Sequence, residues 1–125
     1  MVLKIKRTNG RNGPNKPERK LLSLLEELQF PYVYNGNAEF LLIGGTAPDY
    51  INVNGQKKLI EHYGCYWHCC PLCNKREWKR EDKQREDAET LEGYAMLGNK
   101  TLVIWEHELK DVEAVKEKLL EFERL

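Results

Sequence analysis

The sequence predicts a small α/β or α+β sandwich in which a mixed sheet packs against helices. Three observations carry this. Leu21, Leu22, Leu24, Leu25 and Leu28 recur at helical spacing near the start. A series of short β-like runs follows, ending in a hairpin pattern. Late in the chain, the buried-type run TLVIWE precedes a segment with Val112, Val115, Leu119 and Phe122 on one helical face. A chain of 125 residues with 41% hydrophobic content suits one domain with one modest core.

In chain order, RTNGRNGPNK at residues 7–16 is rich in Gly, Asn and basic residues. Residues 1–16 are expected to form a flexible basic arm, and residues 17–125 a single domain. Pro17 sits where a first helical turn tolerates it, which puts the first helix at about 17–29. PYVYNG reads as a strand leading into a turn, and EFLLIGG ends in paired glycines. In APDYINVNGQKKLIEHY, Asn54-Gly55 predicts a two-residue hairpin turn, since both positions accept positive φ. After a cysteine-rich loop, residues 76–92 are polar with helix-compatible charge pairs. TLVIWE is the next strand, and Asp111 can cap the final helix. The expected order is helix, three strands, loop, helix, strand, helix.

Twenty basic and twenty acidic side chains leave no net charge, a balance that by itself argues against a nucleic-acid partner. The distribution is uneven, however. Residues 1–20 hold Lys4, Lys6, Arg7, Arg11, Lys16, Arg19 and Lys20 against Glu18 alone. Residues 75–85 hold Lys75, Arg76, Lys79, Arg80, Lys83 and Arg85 against three acids. Such patches suit salt-sensitive phosphate binding, or are simply solvated faces. No apolar run approaches the roughly 20 residues that span a bilayer, and the first residues lack an apolar signal core. An intracellular setting is therefore expected, in the cytoplasm or nucleoid, or in a phage-infected host cell. Four reduced cysteines there, all between Cys65 and Cys73, point to metal ligation before disulfides.

Cys70 and Cys73 form a C-x-x-C pair of the kind that grips tetrahedral zinc. Cys65 can reach the same ion, and His107 is the best distant fourth ligand. A closed Cys₃His site is structural and contributes directly to folding. Cys69 is left as an alternative ligand or a free thiol. The flanking βαβ context of a thioredoxin-type redox pair is missing. No His-x-Glu precedes the cluster, which sets aside a zinc deaminase pattern. His68, inside the cluster, is either a zinc ligand or a general base. Tyr66 and Trp67 either pack in the core or stack on bases.

Asp49 opens the hairpin and Glu61 lies in its second strand, so the two meet on adjacent strands. Paired acids repel unless a cation sits between them, and hard oxygen ligands suit Mg²⁺. Such a cation activates water and neutralises charge on phosphorus. The bland alternative is a turn aspartate and a solvent-facing glutamate.

PERKLLSLL, APDYI, GCYWH and VIWEHEL carry a family likeness over about residues 17–109. The chain resembles the very short patch repair mismatch endonucleases, and is similar to phage homing endonucleases described by an E-D-x-H-D signature. Both belong to the restriction-endonuclease-like PD-(D/E)xK superfamily. The resemblance implies a restriction-endonuclease-like three-layer sandwich, with a mixed central sheet between helices and a structural zinc. It also implies a Mg²⁺-dependent endonuclease that cuts a phosphodiester of double-stranded DNA. By position, Asp49 resembles the metal-binding aspartate, and His62 the residue that offers its main-chain carbonyl to the metal. His68 resembles the histidine that activates the water, Glu18 the helix glutamate, and Asp82 the last aspartate. Cys65, Cys70, Cys73 and His107 stand at or near the family's zinc ligands, with two ligand types exchanged. Glu61 fills the acidic position of the wider superfamily, where the mismatch enzymes carry an apolar residue. Tyr63 stands where the superfamily often has lysine and cannot supply a cation at neutral pH. Arg11, Lys16, Arg76 and Lys79 are expected to grip the DNA backbone, and Tyr66, Trp67 and Trp78 to wedge into the duplex. One small domain, as a monomer or homodimer, is expected to nick one strand, in repair or homing. The competing reading is a non-catalytic zinc module that binds DNA.

Overall fold

The computed structural model describes residues 2–4, 13–38, 40–42 and 45–125. Strand β1 (Val2–Lys4) pairs antiparallel with β3 (Phe40–Leu42), so these three residues depart from the expected arm. The remaining strands, β2 (Tyr32–Tyr34), β4 (Tyr50–Asn52), β5 (Lys58–Tyr63) and β6 (Lys100–Trp105), form a sheet in the order β2-β4-β5-β6. The first three run antiparallel and β6 runs parallel to β5, which gives the mixed sheet. Among the described residues four strands, not three, separate the first two helices.

Helix α1 (Lys16–Glu27) starts one residue earlier than expected and stops two residues sooner. Its start is a capping box. Asn15 Oδ1 accepts the Glu18 N–H at 3.0 Å, and Glu18 Oε1 accepts the Asn15 N–H at 3.0 Å. Its end is a Schellman turn, with Gln29 at φ 58° and the Phe30 N–H donating to the Leu25 carbonyl at 2.9 Å. Helix α2 (Arg80–Met96) follows a 3₁₀ turn at Glu77–Lys79. Helix α3 (Val112–Glu123) is capped by Asp111, whose carboxylate accepts the Ala114 N–H.

The helices cover both faces of the sheet. Leu21, Leu24 and Leu25 of α1 and Val115, Leu119 and Phe122 of α3 pack with Tyr50, Ile60 and Ile104. On the opposite face Tyr94 of α2 packs with Leu42 and Leu59. Alternation along β5 therefore sends Ile60 toward α1 and α3, and Leu59 and Glu61 toward α2. The result is the expected α/β fold, a mixed sheet with helices on both faces.

The β4–β5 connection corrects the predicted two-residue turn. Tyr50 pairs with Ile60 and Ile51 with Leu59, and residues 53–57 form a longer loop. Asn52 causes this. Its side-chain oxygen accepts the N–H groups of Asn54 (3.1 Å) and Gln56 (3.0 Å), while Gly55 takes φ +91°.

Candidate active site and metal centre

The parallel pairing of β5 with β6 brings both strands out at the same edge, and the predicted site residues gather there. A cleft of ≈ 610 Å³ is lined by Lys16, Glu18, Asp49, Glu61, His62, Tyr66, Trp67 and His68, together with Asn15, Pro17, Gly64 and Glu106.

Each acid is held by the fold. Glu18 is 3% exposed. Besides closing the α1 cap it accepts the Tyr34 hydroxyl at 3.3 Å, and its carbonyl accepts the Tyr50 hydroxyl at 2.7 Å. Asp49 is positioned through Asn35, a residue that no motif in the sequence singles out. Asn35 is fully buried and donates to the carbonyls of Phe40 (2.8 Å) and Pro48 (2.9 Å). Its backbone N–H donates to the Asp49 carbonyl. The Asp49 N–H donates to Glu61 Oε1 at 3.1 Å, and Asp49 Oδ2 accepts the His62 N–H at 2.7 Å. The Tyr94 hydroxyl donates to Glu61 Oε1 at 3.4 Å. Burial and the facing Asp49 charge lift the Glu61 carboxyl to about 8. Two acids so placed form a hard-oxygen donor set whose repulsion a divalent cation would relieve.

His68 is presented by the cysteine loop, its N–H donating to the Gly64 carbonyl at 3.0 Å. Its Nδ1 lies 2.9 Å from Asp87 Oδ2. With Nδ1–H donating to Asp87, Nε2 keeps a lone pair able to take a proton. Burial lowers the His68 pKa below 6.5, and Asp87 opposes that shift. Asp82, which resemblance puts forward as the last aspartate, instead sits exposed in an ion pair with Arg85 at 2.6 Å. Helical geometry explains the difference. Asp87 precedes Tyr94 by seven residues, two turns, and so shares the face that Tyr94 buries, whereas Asp82 precedes it by twelve and points elsewhere. That periodicity, anchored on Tyr94, is the signal in the sequence that distinguishes the two aspartates.

Tyr66 and Trp67 are 50% and 68% exposed, which excludes core packing for both. The Arg76 guanidinium lies 5.1 Å from the Tyr66 ring centre and 5.4 Å from that of Trp67. Trp67 also borders a second cleft of ≈ 490 Å³, lined by Arg76, Lys79, Asp82, Lys83, Arg85 and Glu86. Trp78 is exposed on its 3₁₀ turn and lines neither cleft. Arg11 lies outside the described residues.

Cys65, Cys70, Cys73 and His107 bring their ligand atoms within 4.8 Å of one another. His107 Nδ1 lies 3.3 Å from Cys65 Sγ, 3.5 Å from Cys70 Sγ and 3.9 Å from Cys73 Sγ. Tetrahedral zinc with ordinary bond lengths would hold sulfur and nitrogen about 3.6 Å apart, so the cluster fits such an ion. His68, turned to Asp87, is not in the cluster. Cys69 is buried outside it. The Cys65 N–H donates to Glu106 Oε1 at 3.0 Å, tying the loop to the end of β6.

No helix among the described residues is long and apolar enough to cross a membrane. No protein-family model matches the chain, and no curated protein matches it. Among solved structures, the catalytic domain of the homing endonuclease I-Bth0305I matches with a TM-score of 0.58 at 25% identity. The match covers 87% of this chain and 94% of that one.

Proposed function

We propose that the protein is a divalent-metal-dependent DNA endonuclease of the E-D-x-H-D type, pinned by a structural zinc. One observation carries the reading. Glu18, Asp49, Glu61 and His68 line one cleft, with His68 bonded at Nδ1 to Asp87, on a fold shared with a homing endonuclease catalytic domain. The resemblance offers Glu18, Asp49 and His68, the hairpin pairs Asp49 with Glu61, and the His68–Asp87 contact favours Asp87 over Asp82 as the last member.

Asp49 and Glu61, with the His62 main-chain carbonyl, are the residues that would hold Mg²⁺. When bound, a divalent cation there supplies an acidified water and offsets charge on the phosphorus. The protein's own part is proton handling and placement. His68 Nε2 takes a proton from the attacking water, and Asp87 holds the ring in the required tautomer. Glu18, fixed by its cap, orients a water at the cleft wall. Lys16, Arg76 and Lys79 grip backbone phosphates without reading sequence. Tyr66 and Trp67, exposed at the lip, lie where bases of an opened duplex step could stack. Cys65, Cys70, Cys73 and His107 are the residues that would hold the zinc. One active site in a small domain makes nicking the expected product.

The test is incubation with supercoiled plasmid and with mismatched duplexes, in Mg²⁺ and in EDTA, alongside Asp49→Ala. Mg²⁺-dependent nicking that the variant lacks supports the reading, and preference for mismatches would place the activity in repair. Folded, zinc-loaded protein that binds DNA without cutting it would favour a non-catalytic DNA-binding module.

A further inference from the structure

Tyr63 occupies the position where the wider superfamily often carries lysine, yet the structure gives it a neighbour that a lysine could not serve. Its ring lies 3.9 Å, centre to centre, from the His68 imidazole, with the planes 4° from parallel. Trp105, its register partner on β6, meets the Tyr63 ring edge-on at 5.1 Å and 89°. Tyr63 is 5% exposed at the end of β5, so its own plane is set by strand and core. Among the described residues its hydroxyl has no hydrogen-bond partner, which leaves the ring as what it offers His68.

His68 has two close restraints, and Trp105 meets its ring edge-on at a longer 6.4 Å. The bond from Nδ1 to Asp87 fixes one point of the ring but allows it to pivot about that bond. The parallel Tyr63 face fixes the plane. Together they set the direction of Nε2. Misplacing a reacting group by an ångström can cost about a hundredfold in rate.

We infer that Tyr63 is a positioning residue for His68, aiming its free nitrogen by ring stacking and not by its hydroxyl or its charge. The inference rests on the endonuclease reading above and on the role of His68 in it.

The test compares Tyr63→Phe and Tyr63→Leu with the wild type on supercoiled plasmid in Mg²⁺, resolving kcat from KM. It also records the carbon-bound ring-proton shifts of His68 by NMR. A stacked imidazole places those protons upfield of an unstacked one. Expected are an upfield His68 in the wild type and in Tyr63→Phe, with kcat retained within about twofold in the latter. Tyr63→Leu should lose the upfield shift and about tenfold to a hundredfold in kcat, with KM little changed. A Tyr63→Leu protein that cuts like the wild type, or loses only in KM, overturns the inference. So does an unshifted His68 in the wild type, a measurement that stands even if the leucine variant does not fold. Wild-type protein that does not cleave overturns the endonuclease reading, and the catalytic role of Tyr63 falls with it. The wild-type ring shift still decides whether the stack exists.

Discussion

Replacing Glu61 by glutamine tests the acid pair at its centre. The Glu61 carboxyl is lifted from an ordinary 4.5 to about 8 by burial and by the facing Asp49 charge. Between those values the folded protein holds a proton that the unfolded chain has released. Stability then falls by about 1.4 kcal/mol for each pH unit, or about 4–5 kcal/mol across the window. Below 4.5 both states are protonated and the full stability is present. Above about 8 both are ionised and the loss is complete. Glutamine keeps the oxygen that accepts the Asp49 N–H and removes the charge. His68 contributes the opposite slope below 6.5, since burial lowers its pKa, but both proteins share that contribution and it cancels in the difference. Urea denaturation in EDTA from pH 5 to 9 is the assay. Wild-type stability should decline relative to Glu61→Gln, leaving the variant several kcal/mol more stable at pH 8.5. Adding Mg²⁺ should restore the wild type far more than the variant. Parallel profiles in EDTA would refute the repulsion between Asp49 and Glu61.

The remaining predictions concern the base, the zinc and the DNA grip. Asp87→Asn should lower kcat for plasmid nicking by a hundredfold or more, while Asp82→Asn, in an exposed pair, should stay near wild type; the reverse result would return the last aspartate to Asp82. Purified protein should contain stoichiometric zinc by elemental analysis, and Cys70→Ser or chelation should cost several kcal/mol in thermal denaturation, whereas Cys69→Ala should keep the metal. Arg76→Ala and Lys79→Ala should weaken DNA binding and each reduce the slope of log affinity against log salt by about one; an unchanged slope would separate the second cleft from DNA.

Much of this was legible in the residues because the signals were local. The leucine spacing marked α1, Asp111 marked the α3 cap, and the C-x-x-C with Cys65 marked the Cys₃His cluster. His107 was found because it directly follows a strong strand. The misses depend on side chains that reach across the fold. Asn35 reads as an ordinary turn residue, and nothing near it in sequence shows that it braces Asp49 fourteen residues on. Asn52 overrode the Asn54-Gly55 signal because a side-chain oxygen competes with backbone pairing for the same N–H groups. Asp87 stood in a charge-rich helix where resemblance could not set the register, although the spacing to Tyr94 could. The Tyr63–His68 stack joins residues five apart across a loop, and composition gives no sign of it.

Because β5 and β6 run the same way, their two ends differ in kind. His62, Tyr63 and Gly64 leave one strand beside Trp105, Glu106 and His107 of the other, so both candidate metal centres crowd a single rim. The opposite rim holds the loop at residues 53–57 and the turn at Gly98, neither of which lines the cleft. A spare module grafted into the 53–57 loop would sit a strand's length from the chemistry. That rim is where the scaffold is best placed to accept an inserted domain or a reporter, whereas the interval between Cys65 and Cys70 spaces two residues of the Cys₃His cluster.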